Sequence, residues 1–179
     1  MQTCTTKGGI LSVCITTLLL LDHVRSDDRP PAKAPEKQPP SLAEARARAQ
    51  LLHETLHSTL HVVHRDFYRE DDGLPIPAAS MTRVFRHLEE EQGVVLRWLA
   101  VDGEAMNVDH KARDDFERAA VKAIQADQKP FESREGGVYR RAAAITLRSE
   151  CLKCHVPNRK SLEDRFAGLI ISMPFAAGE

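Results

Sequence analysis

The chain has 179 residues, 42% of them hydrophobic and 28% charged, with a formal net charge of −1. That balance excludes the basic footprint of a nucleic-acid or anionic-membrane binder. The length allows one ordinary domain and some extra sequence.

The N-terminus has the order of a secretory signal. Lys7 precedes an apolar run from Ile10 to Leu21, and polar residues follow at once. The run is shorter than the roughly twenty residues a membrane-spanning helix needs, so removal as a signal over residues 1–26 is expected rather than retention as an anchor. Val24 and Ser26 fit the small-residue cleavage rule only loosely. A lipoprotein box at Cys14 is a poor fit, because valine precedes the cysteine. Cleavage would remove Cys4 and Cys14 and leave Cys151 and Cys154 in a periplasmic or otherwise extracytoplasmic protein that does not span the membrane. Residues 27–40, DDRPPAKAPEKQPP, are proline- and charge-rich and read as a semi-rigid linker. The folded domain is expected over 41–179.

Ser41-Leu-Ala-Glu44 is a capping-box pattern. Apolar residues then recur at Leu42, Ala45, Ala49, Leu52, Leu56, Leu60, Val63 and Phe67, which predicts an amphipathic helix over 42–68. Helical character resumes from Pro77 to Glu91 and stops at Gly93. GVVLRWLAVDG (93–103) reads as a strand, Asp114 to Asp127 as a helix with Phe116, Ala119, Ala120, Ala123 and Ile124 inward, and Gly136-Gly137 opens a second strand, VYRRAAAITL. FAGLIISMPF (166–175) is the last strand, with Leu169, Ile171 and Met173 on one face. The order of helices and strands predicts an α+β domain, an antiparallel sheet carrying helices.

Between the last two strands lies Cys151-Leu-Lys-Cys154-His155, a C-x-x-C-H motif. Structural zinc needs four ligands, and the mature chain has one cysteine pair with no H-x-x-x-H close by. A redox dithiol leaves the histidine incidental and wants a parallel βαβ unit that the element order lacks. A disulfide across so short a loop is strained and constrains little chain. Covalent attachment of a haem uses every residue of the motif: each thiol adds to a vinyl group, and the histidine supplies an axial imidazole. In bacteria this attachment takes place outside the cytoplasm, where the expected signal would deliver the chain.

The strand GVVLRWLAVDG, the loop ending DHKARDDFE, the segment VYRRAAAITLRSECLKCH and the strand FAGLIISMPF together resemble the PAS-like c-type haem domain family, over about residues 42 to 175. That family occurs as extracytoplasmic sensor input modules and as small free-standing haem proteins of bacteria. The resemblance implies a PAS-like antiparallel sheet with a long N-terminal helix, and one covalent haem c held between them. It gives Cys151 and Cys154 the thioether roles and His155 one axial position. The family's other known ligand is a cysteine near the end of the first long helix, where this chain has none.

Histidines stand there instead: His53, His57, His61 and His64. At 100° per residue they fall within about 80° of one another, a stripe flanking the apolar face by roughly 100°. The bland reading of any one of them is a polar flank. His53 and His64 lie angularly closest to the core, and His64 alone also lies late in the helix, so His64 is the expected distal ligand. His57, His53 and a five-coordinate iron are the alternatives, ahead of Met81, Met106 and Met173. Histidines at i, i+4 can also chelate a second metal, but no acidic residue on the stripe completes that site. Arg97, Arg140 and Arg141 are candidates for pairing with haem propionates; His87 and His110 read as surface residues. Iron with two protein ligands has no open position, so no enzymatic activity is expected. An electron-transfer protein with a redox partner is the favoured reading. A redox or gas sensor acting through a separate signalling protein is the alternative.

Overall fold

A computed structural model describes residues 38–176, apart from residues 104, 106 and 157. The signal expected over 1–26, most of the linker expected over 27–40, and Met106 lie outside the described residues. Helix α1 (Leu42–Asp66) starts at the capping box read from the sequence. The Ser41 hydroxyl accepts from the Glu44 amide at 3.3 Å, and the Glu44 carboxylate accepts from the Ser41 amide at 2.9 Å. Two otherwise orphaned N–H groups are satisfied this way. Ala45, Ala49, His53 and Leu56 are its buried residues. The expected apolar stripe runs past the end of the core, since Val63 and Phe67 are exposed.

Helices α2 (Pro77–Ser80) and α3 (Thr82–Gln92) follow, split at Met81 where the sequence predicts one helix. The sheet holds β1 (Val95–Ala100), β2 (Phe131–Glu135), β3 (Val138–Leu147) and β4 (Arg165–Pro174), in the order β1-β4-β3-β2, all neighbours antiparallel. Strand β2 is an addition to the three expected. Gly136 and Gly137 form the turn of the β2–β3 hairpin rather than the start of a strand. Both have positive φ, 58° and 75°, as a two-residue hairpin loop demands.

Both faces of the sheet are covered. Leu96, Trp98, Tyr139, Ile145, Leu169, Ile171 and Met173 pack with the apolar residues of α1 and with Phe85 of α3. On the other face Leu99, Ala142 and Ile170 meet Ala120 and Ile124 of α4 (Asp115–Asp127). The alternation in β4 decides this split, because odd residues face α1 and even residues face α4. Gly168 falls on the α4 face, where a Cβ would stand 3.1 Å from Leu99 Cβ. A side chain at this position would force Leu99 and Ile124 to give way by a few tenths of an ångström. The result is an α+β domain with a long N-terminal helix across an antiparallel sheet, as the sequence predicts. No helix among the described residues is long and apolar enough to cross a membrane.

Candidate functional site

The end of β3 delivers the chain into the cysteine motif. Residues 152–155 wind into one helical turn, α5 (Leu152–His155), in which the His155 amide donates to the Cys151 carbonyl at 3.1 Å. Positions i, i+3 and i+4 of a helical turn share a face, so Cys151, Cys154 and His155 all line one cavity. Leu152, 1% exposed, anchors the turn from its other side. Both cysteines are free, half-buried thiols.

The cavity holds about 500 Å³, a size suited to a bound small molecule or cofactor. Its walls come from helices, strands and one loop. The C-terminal half of α1 contributes Leu60, His61, His64 and, just beyond the helix, Tyr68. Helix α2 and β1 contribute Ala78, Ala79 and Trp98, and the end of β3 contributes Ile145 and Leu147. Trp98 Nε1 donates to the Ala78 carbonyl at 3.1 Å and so fixes α2 against the sheet. His110 is the remaining imidazole of the lining.

Electrostatics follow from this enclosure. Burial lowers the His155 pKa, and the neighbouring imidazoles of His64 and His110 push the same way. Burial raises the pKa of the Cys151 thiol. His110 is lowered by burial first and by Arg97 second. Its place in the cavity corrects the expectation of a surface residue. The polar loop carrying His110 is held by Arg97, whose guanidinium donates to the carbonyls of Asp109 and Lys111.

The histidine stripe divides. Strand β2 pairs with β3 only as far as Phe131 opposite Ala142, which leaves the edge of β3 beyond that point without a strand partner. Three histidines of α1 occupy that edge. His53 Nε2 lies 3.0 Å from the Ala144 carbonyl, and His61 Nε2 lies 2.9 Å from the Thr146 carbonyl. His57 Nε2 accepts from the Thr146 amide at 3.2 Å. These rings do for β3 what a fifth strand would do, satisfying backbone groups that cannot be left buried and unpaired. His64 has no hydrogen-bond partner among the described residues. Its ring stands 5.0 Å from that of Tyr68.

The arginines expected near haem propionates are committed elsewhere. Arg97 lies 3.3 Å from the buried Glu117 carboxylate, and Arg140 reaches Asp114 at 2.7 Å and Glu117 at 3.5 Å. Arg141 pairs with Glu132 at 2.7 Å. None of the three lines the cavity. For Arg97 and Arg140 the reason is the α4 packing: Asp114 caps that helix by accepting from the Glu117 amide, which brings two acids onto the sheet; Arg141 is held instead by the β2 hairpin partner. Among the methionines, Met173 is buried in the core and Met81 packs at its margin, both away from the cavity lining.

Two free thiols and the imidazoles of His155 and His64, on one largely apolar cavity, are a donor set that fits a covalently held haem.

The fold and this site define a small domain with a cofactor-sized cavity between its N-terminal helix and its sheet. The family model described as Tll0287-like matches residues 36–168, and the chain belongs to that family. Its fold is similar to a crystal structure of the cyanobacterial heme-protein Tll0287, with a TM-score of 0.59 at 13% identity, over 76% of this chain and 98% of that one. No curated protein matches the chain.

Proposed function

We propose that the protein is an extracytoplasmic mono-haem c-type protein whose work is electron transfer with a redox partner, and that it is not an enzyme. The observation that carries this reading is the convergence of Cys151, Cys154, His155 and His64 on one cavity. Membership of a family whose solved relative is a heme-protein supports it. In this reading Cys151 and Cys154 would hold the haem through thioether bonds, and the imidazoles of His155 and His64 would hold its iron. The bound haem supplies a one-electron ferric/ferrous couple. The remaining residues shape it. Trp98, Ile145 and Leu147 wall the cavity with apolar surface, and burial, which lowers the His155 pKa, favours the neutral ring that a metal needs.

The test is secretion from a host with cytochrome c maturation, followed by a pyridine haemochrome. A c-type haemochrome in the wild type, lost in the Cys151→Ser/Cys154→Ser protein, supports the reading. A wild type without covalent haem returns the motif to zinc or dithiol chemistry.

A sensing role through a separate signalling protein rests on a different observation. His64 sits in the last turn of α1, beyond the last histidine tied to β3. Loss of that ligand on reduction or gas binding would free the helix end. Avid CO binding by the wild-type ferrous protein would favour this second reading over the first.

A further inference from the structure

The stripe on α1 holds a second arrangement, some 11 residues before His64. His53 is buried, 4% exposed. Its Nε2 faces the Ala144 carbonyl at 3.0 Å, so the ring proton sits on Nε2 and Nδ1 carries a lone pair. That Nδ1 is buried and has no hydrogen-bond partner. The Glu54 carboxylate stands 3.5 Å from it, also an acceptor. Two electron-pair donors thus face each other with no proton to share. The alternative, a charged imidazolium, is opposed by burial, which lowers the His53 pKa. His57 is the third member: one donor atom each of His53, Glu54 and His57 lies within 4.8 Å of the others.

We propose that His53, Glu54 and His57 form a binding site for a divalent transition-metal ion of the zinc class, separate from the cysteine motif. The spacing suits the ion. Zinc bonds of about 2.0–2.2 Å at the tetrahedral angle put neighbouring N and O ligands roughly 3.3–3.5 Å apart, the separation between His53 Nδ1 and Glu54. The bond from His53 Nε2–H to a backbone carbonyl is the orienting contact that metal-bound histidines normally have. The Glu54 side chain is 63% exposed, which opens the site to solvent and to an entering ion. His57 supplies the third donor atom, and water completes the shell. The acid completing the stripe is the residue next to His53, since a glutamate is long enough to reach back to the preceding ring. The ion would tie adjacent turns of α1 together beside the open edge of β3, about 16 Å along the helix from His64.

The test is calorimetric titration of the chelator-treated, secreted full chain with zinc sulfate, with thermal melts in parallel. The wild type is expected to take one zinc per chain and to melt higher with it. Glu54→Gln, an exposed change that leaves the fold intact, and His57→Gln are each expected to weaken zinc by about tenfold or more and to lose the gain in Tm. His64→Ala keeps wild-type zinc affinity. No saturable zinc in the wild type overturns the proposal. So does undiminished affinity in Glu54→Gln, or loss of zinc in His64→Ala alone, which would put the ion in the cavity. The two readings fail separately: the haemochrome reports the cysteine motif, and the loss of zinc in Glu54→Gln and His57→Gln reports this site, whatever zinc a haem-free motif would take.

Discussion

The two ends of the histidine stripe on α1 teach different lessons from the same residue type at the same spacing. At His53, His57 and His61 the rings meet backbone groups of Ala144 and Thr146. At His64 the ring meets the cavity it shares with Cys151, Cys154 and His155, a wall that His61 also joins while bonded to β3. The difference is made on the sheet, not on the helix. Because β2 ends opposite Ala142, the next stretch of β3 needs partners, and α1 supplies them one turn at a time. Past Leu147 the strand gives way to α5, and the helix meets the motif instead. Helical periodicity sees one stripe; the length of a neighbouring strand cuts it in two.

If that division is right, the ends should respond oppositely to substitution. His53→Ala should be the most damaging, costing about 2–4 kcal/mol, since it empties a buried volume and strands the Ala144 carbonyl. Urea unfolding checks this. His64→Ala should move stability by less than about 1 kcal/mol in the haem-free chain, and equal losses at both positions would erase the distinction.

Acid should strike the anchored end next. His57 is lowered to about 4, by burial first and then by His61 and His53. Its folded pKa lies below the unfolded value of about 6.5, so the unfolded chain takes up the proton first. The contribution is intact above about pH 6.5, declines as pH falls, and is fully lost below about pH 4. His57→Asn should flatten that part of the stability–pH curve, read from melts between pH 7 and pH 4. A curve of unchanged slope would deny the burial of this ring.

Two smaller changes act as controls away from the stripe's two ends. Gly168→Ala presses a methyl against Leu99 on the α4 face and should cost about 1–3 kcal/mol, without altering the visible spectrum. Ser41→Ala removes the capping box of α1 and should cost about 1 kcal/mol. A spectral change from either would mean that the site is coupled to the whole domain rather than built locally at α1 and α5.

The start of α1, the strands β1, β3 and β4 and the cysteine motif were legible in the sequence because each has a local signal: a capping box, β-branched alternation, or C-x-x-C-H. Strand β2 was not. Its FESRE sequence has one apolar residue, and Glu132 is held by Arg141 across the hairpin at 2.7 Å and by Arg46 of α1, far along the chain, at 2.9 Å. His110 was missed for a similar reason. Its loop has no periodicity, and Arg97 draws it inward through backbone carbonyls that any sequence would present. The convergence of His64 with the motif was readable as a helix position, while the release of the other three histidines to β3 required knowing where β2 stops.

The measurement closest to the centre of this account is the spin state of the iron across the four histidine variants. Visible and electron paramagnetic resonance spectra would be recorded for His53→Ala, His57→Ala, His61→Ala and His64→Ala beside the wild type. Ligation by His155 and His64 predicts a low-spin wild type and a high-spin iron in His64→Ala alone. A low-spin His64→Ala protein, with the high-spin signal appearing instead at His61 or His57, would contradict it and move the ligand to the end of the stripe assigned here to β3.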